Sequence, residues 1–580
     1  MYTDDKNAQI ILALLKKYNI KKIVISPGTT NVPIAKGVQT DSFFEAYSVV
    51  DERSAAYFAT GLAHESGEPV VISCTGSTAS RNYLSALTEA YYRNLPIIAI
   101  TSYNQVTDYG NFKPQSINRT ISQVDVKRMS ITLPLIKDKN DEEAWVLSVN
   151  KALTLATRKG GGPVHINLPV DLSKALSFTT ENLPDVHKID FYQTEDLLND
   201  DVMPLKNWLH GKNIGLLIGS HRKFSQKETA AIEKFIDTYD VTVFYDHSSN
   251  YHGKNGVLSA VASGLKMIDL KPEIVIDLGS VTPVYSVQNL LKDSEFWRIS
   301  EDGEFHQRYF GKLYKQFDCS EFIFFHSLAE TEKKSENRYY DAVKKKIDEI
   351  VIPDLPLSNT LISSQMASKL PEGCSFHLGV SESLSCMNFF EFKNSIDSNC
   401  NAGAMGIDGA VSTLVGQSMV NKSKLYFGQF GDLTFFYDMN ILGNRHISKN
   451  VRILMINNGG GARFRISPPE LKKLGTEVDQ FIGAFGHNGS AEGWVKSMNF
   501  EYLSANNKEE FLSQVDNFCS PDLDKFDKPV FFEVFTSVEN EEIGLNLIRE
   551  VNKPSLNKAK DIVKQILPSA AVDMLKKLKR

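Results

Sequence analysis

Residues 425–461 constrain the fold more than any other part of the chain. An apolar run of strand type (425–430) leads into Gly431-Asp432-Leu433, and a helical stretch begins near Thr434. A second apolar run (451–456) ends in Asn457-Asn458-Gly459-Gly460-Gly461. Strand, helix and strand within about 30 residues make one parallel βαβ unit. Asp432 and Asn458 then stand 26 residues apart, each just past the C-terminal end of its strand. That is the edge at which open α/β sheets bind ligands. A carboxylate, an amide and exposed glycine backbone are all hard oxygen donors. Such a set suits Mg²⁺ held against a diphosphate, with the helix beginning near Leu433 aiming free N–H groups at the same phosphates.

The same alternation runs along the chain. Apolar runs at 22–25, 46–50, 69–74, 95–100 and 163–169 read as strands, and runs at 213–219, 241–245 and 274–279 continue the pattern. The expected fold is α/β, with three doubly wound parallel-sheet domains at 1–185, 205–335 and 355–545 and a basic amphipathic helical tail at 546–580. The middle domain, with no convergent ionisable cluster evident, reads as structural. The charged run 330–349 reads as an exposed connecting helix. A length of 580 residues is ample for three cores. The net charge of −6 provides no basic field for nucleic acid. No apolar run is long enough to span a bilayer, and the polar, acidic N-terminus is unlike a signal peptide. Six cysteines without a CxxC pair point to free thiols and a cytoplasmic location.

Glu52 follows an apolar strand and opens a helix of small residues, which places it at a ligand-binding sheet edge. A partly desolvated carboxylate there is suited to exchanging a proton with a heterocyclic nitrogen; the macrodipole of the helix is an equally good local reason for an acid at that position. Taken with Gly431-Asp432-Leu433, Asn457-Asn458 and the run Thr75-Gly76-Ser77-Thr78-Ala79 through Glu89-Ala90 to Pro96, the chain resembles the thiamine-diphosphate-dependent enzymes. The resemblance implies a pyrimidine-binding first domain and a diphosphate- and metal-binding third domain. It implies that Glu52 protonates the cofactor's aminopyrimidine ring, and that Asp432, Asn458 and the Gly460 carbonyl ligate Mg²⁺ (or Mn²⁺). Gln115, Met405, Gly406, Ile407, Gly431 and Leu433 would complete the thiamine-diphosphate site. It also implies a homodimer or a dimer of dimers, with each active site shared between chains.

Within that family the likeness is strongest to the menaquinone-pathway 2-succinyl-5-enolpyruvyl-6-hydroxy-3-cyclohexene-1-carboxylate synthases. It is carried by Ser26-Pro27-Gly28, Asp51-Glu52-Arg53, Gly403-Ala404-Met405-Gly406-Ile407-Asp408-Gly409 and Tyr437-Asp438-Met439-Asn440. Those enzymes decarboxylate 2-oxoglutarate and join the product to isochorismate, two acidic substrates that suit bidentate arginines. Here Thr30, Asn104 and Ala402 stand where the synthase pattern has arginines, and Arg463 and Arg465 appear after the glycine run. Thr29, Thr30, Asn31, Tyr103, Asn104, Ala402 and Arg463 are the expected substrate contacts. The resemblance therefore implies 2-oxoacid decarboxylation with carboligation to a different acceptor, the donor acid being open. The alternatives are the synthase reaction itself, simple 2-oxoacid decarboxylation, or a catalytically inactive assembly protein of the same fold.

Overall fold

The computed structural model describes residues 1–103, 108–119, 123–190, 202–265, 270–330, 334–393, 395–466 and 473–551. Asn104 and the tail from 552 onward lie outside the described residues.

Three six-stranded sheets, all of whose strand pairings are parallel, carry the chain. The first contains β1 (Lys22–Ile25), β2 (Glu45–Ser48), β3 (Val70–Cys74), β4 (Ile97–Tyr103), β5 (Met129–Thr132) and β6 (Val164–Pro169). The second contains β7 (Ile214–Ile218), β8 (Val241–Tyr245), β9 (Gly256–Leu258), β10 (Ile274–Leu278), β11 (Glu295–Ile299) and β12 (Lys312–Phe317). The third contains β13 (Ser375–Leu378), β14 (Asp397–Cys400), β15 (Tyr426–Gly431), β16 (Val451–Asn457), β17 (Glu501–Ala505) and β18 (Val530–Phe535). The apolar runs of the sequence are interior strands, except that the run at 46–50 becomes β2, an edge strand. β5, β9, β11, β12, β13, β14 and β17 escape a reading by apolar runs because they are short or carry polar residues, as in Met129-Ser130-Ile131-Thr132 and Asp397-Ser398-Asn399-Cys400, and β18 also lies outside the runs read as strands.

The first sheet runs β2-β1-β3-β4-β6-β5 and the third β14-β13-β15-β16-β18-β17. Counted from the first strand of each sheet, the two orders are identical. The helix after the second strand is Glu52–Ser66 in one domain and Ala410–Gln417 in the other, and these two helices pack on each other. Gly61 and Gly416 permit the contact. A Cβ on Gly61 would fall 2.1 Å from the Thr413 carbonyl oxygen, and one on Gly416 would fall 2.0 Å from that of Phe58. The apolar core at this crossing is continuous from Ala55 and Phe58 to Leu414 and Val415.

A buried polar link reinforces the crossing. Glu89 is 1% exposed, accepts from the Gly403 and Ala404 backbone N–H groups at 3.1 and 2.7 Å, and pairs with Arg93 at 3.6 Å. Arg93 in turn donates to Asn399 Oδ1 at 2.6 Å. Removing one partner of such a pair leaves a buried charge uncompensated, so Glu89→Ala is expected to destabilise the fold by about 3–5 kcal/mol, read from urea denaturation midpoints.

Three features differ from the sequence reading. The charged run ends in a helix, Arg338–Asp348, whose Tyr339 and Val343 are buried in the middle domain's core, because they lie four residues apart on one face. The middle domain does assemble ionisable side chains: Asp277, 2% exposed, bonds Arg298 at 3.2 Å and Arg308 at 2.7 Å. Their wide separation along the chain conceals them. The last described helix, Val538–Arg549, crosses position 545 because Leu545 and Ile548 are both core residues. All six cysteines are free and buried. Among the described residues, no helix is long and apolar enough to cross a membrane.

Candidate active site

β15 and β16 are neighbours, with Gly431 opposite Ile456, so the turns that follow them meet at one sheet edge. Asp432, 2% exposed, begins the Asp432–Asp438 helix. Its Oδ2 accepts from the backbone N–H groups of Asn458, Gly459 and Gly460 at 3.1, 2.8 and 3.1 Å. Its Oδ1 accepts from the Leu433 N–H at 2.7 Å. Burial raises the Asp432 pKa above its ordinary value, against the pull of the Leu433 and Gly459 N–H groups and of His487. His487 places Nε2 3.1 Å from Oδ2, a contact from a residue that no motif in the sequence marks.

The set fits a divalent cation held against a diphosphate. The Asn458 side-chain oxygen is buried and has no hydrogen-bond partner among the described residues, as expected of a group that completes its coordination on a metal. A Cβ on Gly431 would meet nothing within 4 Å, which leaves room beside Asp432 for phosphate oxygens. Gly460 has φ +157°, and a Cβ there would lie 2.7 Å from the Phe485 ring. Its carbonyl accepts from the Ala462 N–H at 3.1 Å and keeps a second lone pair for a ligand. Behind the cradle, Asn457 bonds Glu533, which also holds Ser490 and Tyr502. Glu541, which holds the Asn359 N–H at 2.8 Å and the Thr536 hydroxyl at 2.6 Å, is pushed up to about 7 by burial.

Met405 takes φ +57°, and with Ile407 it packs partly buried against the third domain's core. Gly406 lies between them, two residues from the turn that Glu89 holds. Glu52 and Gln115 are not joined to this group. The Glu52 carboxylate makes no hydrogen bond among the described residues, and Gln115 is exposed at φ +62°. The neighbours of Glu52 are tied within the chain to the far end of the Asp432–Asp438 helix. Arg53 donates to the Tyr437 carbonyl at 2.8 Å, and Asn440 donates to Asp51 at 3.4 Å.

Asp438 is the buried knot of this contact. It accepts from the Ser412 N–H and hydroxyl at 2.6 and 2.7 Å and from the Ser54 hydroxyl at 3.2 Å. Burial pushes its pKa up to about 7, above the 3.8 of an ordinary aspartate. A raised acid favours the folded state while protonated. Its contribution is therefore full below pH ~4 and is lost as pH rises to ~7. Asp438→Asn is expected to flatten that part of the melting-temperature profile between those limits.

Several expected substrate contacts are committed elsewhere. Asn31, 3% exposed, spends its amide on the Ser26 and Ser73 carbonyls and the Ser73 hydroxyl. The Tyr103 hydroxyl donates to the Leu133 carbonyl at 2.8 Å, and burial pushes its pKa up to about 12. Ala402 is fully buried in the third domain's core. Thr30 shares a hydrogen bond with Ser102 at 2.6 Å, while Thr29 is exposed. Arg463 is paired with Glu382 at 2.8 Å and Arg465 with Asp479, so neither is an unpaired cation. Apart from Ser26, five residues before Asn31, these partners are remote in sequence or on another loop, where local pattern gives no sign of them.

The N-terminal segment, residues 5–128, matches the family model described as the thiamine pyrophosphate enzyme N-terminal TPP binding domain. Over nearly the whole chain it is similar to curated proteins named 2-succinyl-5-enolpyruvyl-6-hydroxy-3-cyclohexene-1-carboxylate synthase. The Bacteroides thetaiotaomicron protein is 32% identical, covering 93% of this chain and 97% of its own. The Phocaeicola vulgatus protein is 30% identical, covering 95% and 98%. The Flavobacterium johnsoniae protein is 28% identical, covering 94% and 98%. With three parallel sheets and the Asp432 cradle between β15 and β16, the chain belongs to the thiamine-diphosphate-dependent enzymes, on the branch of these synthases, and uses thiamine diphosphate with a divalent metal.

Proposed function

We propose that this enzyme decarboxylates a 2-oxoacid and joins the remaining unit to an acceptor with fewer carboxylates than the synthases' isochorismate. The observation that carries the reading is that Thr30, Asn104 and Ala402 stand where the synthase pattern has arginines. Thr30, Asn104 and Ala402 bring no charge, and Arg463 and Arg465 are neutralised by Glu382 and Asp479. A charged hydrogen bond to a carboxylate contributes about 1.5–3 kcal/mol, so three losses weigh heavily against the same pair of acids. Beside Arg463, between the middle and third domains, lies a cavity of about 1040 Å³ lined in part by Val284, Tyr285, Phe389 and Ile548. Lys344, Asp348, Glu391 and Arg549 also line it, charges of both signs that give a diacid no one-sided cationic field, and the apolar wall between them suits contact by shape.

Thiamine diphosphate, when bound, supplies the nucleophilic carbon that adds to the 2-oxoacid and takes up the electrons left as CO₂ departs. Asp432, Asn458 and the Gly460 carbonyl would hold the metal against the diphosphate. Met405, Gly406 and Ile407 would line the cofactor, and Gln115 would face its amino group. Glu52 holds and returns the proton of the pyrimidine ring nitrogen. Glu52 of one copy would face the Asp432 cradle of a second copy in a homodimer or a dimer of dimers. Its lack of a hydrogen-bond partner among the described residues and the exposure of nearby Val50 (72%) and Tyr437 (54%) support that arrangement.

The test is a matrix of 2-oxoacid donors against acceptors with Mg²⁺ and thiamine diphosphate, following CO₂ release and product mass. A neutral or monocarboxylate acceptor is expected to outpace isochorismate. The second reading, favoured by 32% identity over nearly the full chain, is the relatives' own reaction. Fastest turnover with 2-oxoglutarate and isochorismate would establish it and overturn the first.

A further inference from the structure

The first domain contains a second cavity, of about 410 Å³, which none of the residues assigned above to cofactor, metal or acceptor lines. Its volume lies within the range of small-molecule sites. It is bounded by the helices Thr78–Asn82 and Leu84–Tyr92 and by Asn118, Arg119, Gln123, Val126 and Lys127, over Ala99 of β4 and His165 of β6. Its charge is one-sided: Arg81, Arg119 and Lys127 line it beside His165, and among the described residues no aspartate or glutamate does. Leu84, Leu87 and Val126 form an apolar wall beside these cations.

Arg119 is 9% exposed. Its guanidinium donates to the Thr101 hydroxyl at 2.6 Å and to the Ser102 carbonyl at 2.7 Å, both neutral acceptors. Three of its five N–H bonds remain, and it forms no ion pair among the described residues. Lys127, half-buried, has neither a hydrogen bond nor an ion pair among them. The acid nearest along the chain, Asp125, accepts instead from the Tyr92 hydroxyl at 3.0 Å. Arg119 also disfavours further positive charge beside it: burial and Arg119 lower the Lys127 pKa, and burial, Lys127 and Arg119 hold His165 well below its ordinary value, so His165 lines the cavity as a neutral ring. Desolvated cations without a counter-charge are costly, and an anion entering the cavity removes that cost.

We propose that this cavity binds a small amphiphilic monocarboxylate, its carboxylate held by Arg119, Lys127 and Arg81 and its apolar part resting on Leu84, Leu87 and Val126. A guanidinium fork with free N–H groups matches a carboxylate in bidentate fashion, and the apolar wall disfavours a fully hydrated inorganic ion.

The test is calorimetric titration of the full chain saturated with thiamine diphosphate and Mg²⁺, so that the diphosphate cradle is filled. The probes are benzoate, its neutral analogue benzyl alcohol, and inorganic phosphate. Saturable benzoate binding at one site per chain is expected, with phosphate weaker and benzyl alcohol undetectable. Lys127→Gln and Arg81→Gln, at partly exposed positions that tolerate substitution, are each expected to weaken benzoate about tenfold, and Arg119→Gln to abolish its binding. Should Arg119→Gln not fold, the other two variants decide. Benzoate affinity unchanged in Lys127→Gln and Arg81→Gln, phosphate binding tighter than benzoate, or no saturation would each overturn the proposal. Because the readout is binding, a failure here is distinct from a failure of the proposed reaction.

Discussion

Glu52→Gln is expected to lower kcat by about 10²- to 10⁴-fold, the usual contribution of a positioned acid–base group, while thiamine diphosphate binds with little loss. Glutamine keeps the length and the hydrogen-bonding shape of the side chain but cannot pass a proton. The change leaves the apolar helix crossing of Ala55, Phe58, Leu414 and Val415 untouched. Cofactor affinity by titration and CO₂ release in a single turnover separate the two effects. A variant with normal turnover would remove Glu52 from the mechanism.

Asp432→Ala is expected to weaken cofactor binding by more than about 100-fold and to loosen the glycine turn. The carboxylate serves the metal and also accepts the Asn458, Gly459 and Gly460 N–H groups. Each buried donor left without an acceptor costs about 1–3 kcal/mol. Saturating cofactor stabilises the parent by about 2.7 kcal/mol at a hundredfold excess over Kd, and the variant should lose that thermal shift. Mixing the two variants tests the shared site. In a mixed dimer one site carries both substitutions and the other carries neither, so activity returns if Glu52 and Asp432 act across chains. If they act within one chain, no activity returns.

Much of the cradle is legible in the sequence because it is local. Gly431-Asp432 and Asn457-Asn458 each close an apolar strand, and parallel pairing of consecutive strands brings their ends together. His487 is not legible, because its contact with Asp432 depends on where a later loop falls. The same holds for the loss of expected substrate contacts. Tyr103 is polar and at a strand end, yet its hydroxyl is taken by Leu133; Arg463 carries a charge, yet Glu382 neutralises it.

By itself the sequence determined the fold class, the family and the positions of Glu52, Asp432 and Asn458. Strand periodicity, turn residues and short motifs are properties of neighbours along the chain, and they survive in one dimension. Only the tertiary structure decided which charges remain available. It paired Arg463 and Arg465, buried Asp438 as the knot between the two like-folded domains, and left Arg119 and Lys127 in the first without a counter-charge among the described residues. Electrostatic energy depends on distance and burial, and these are set by long-range packing that no local pattern records.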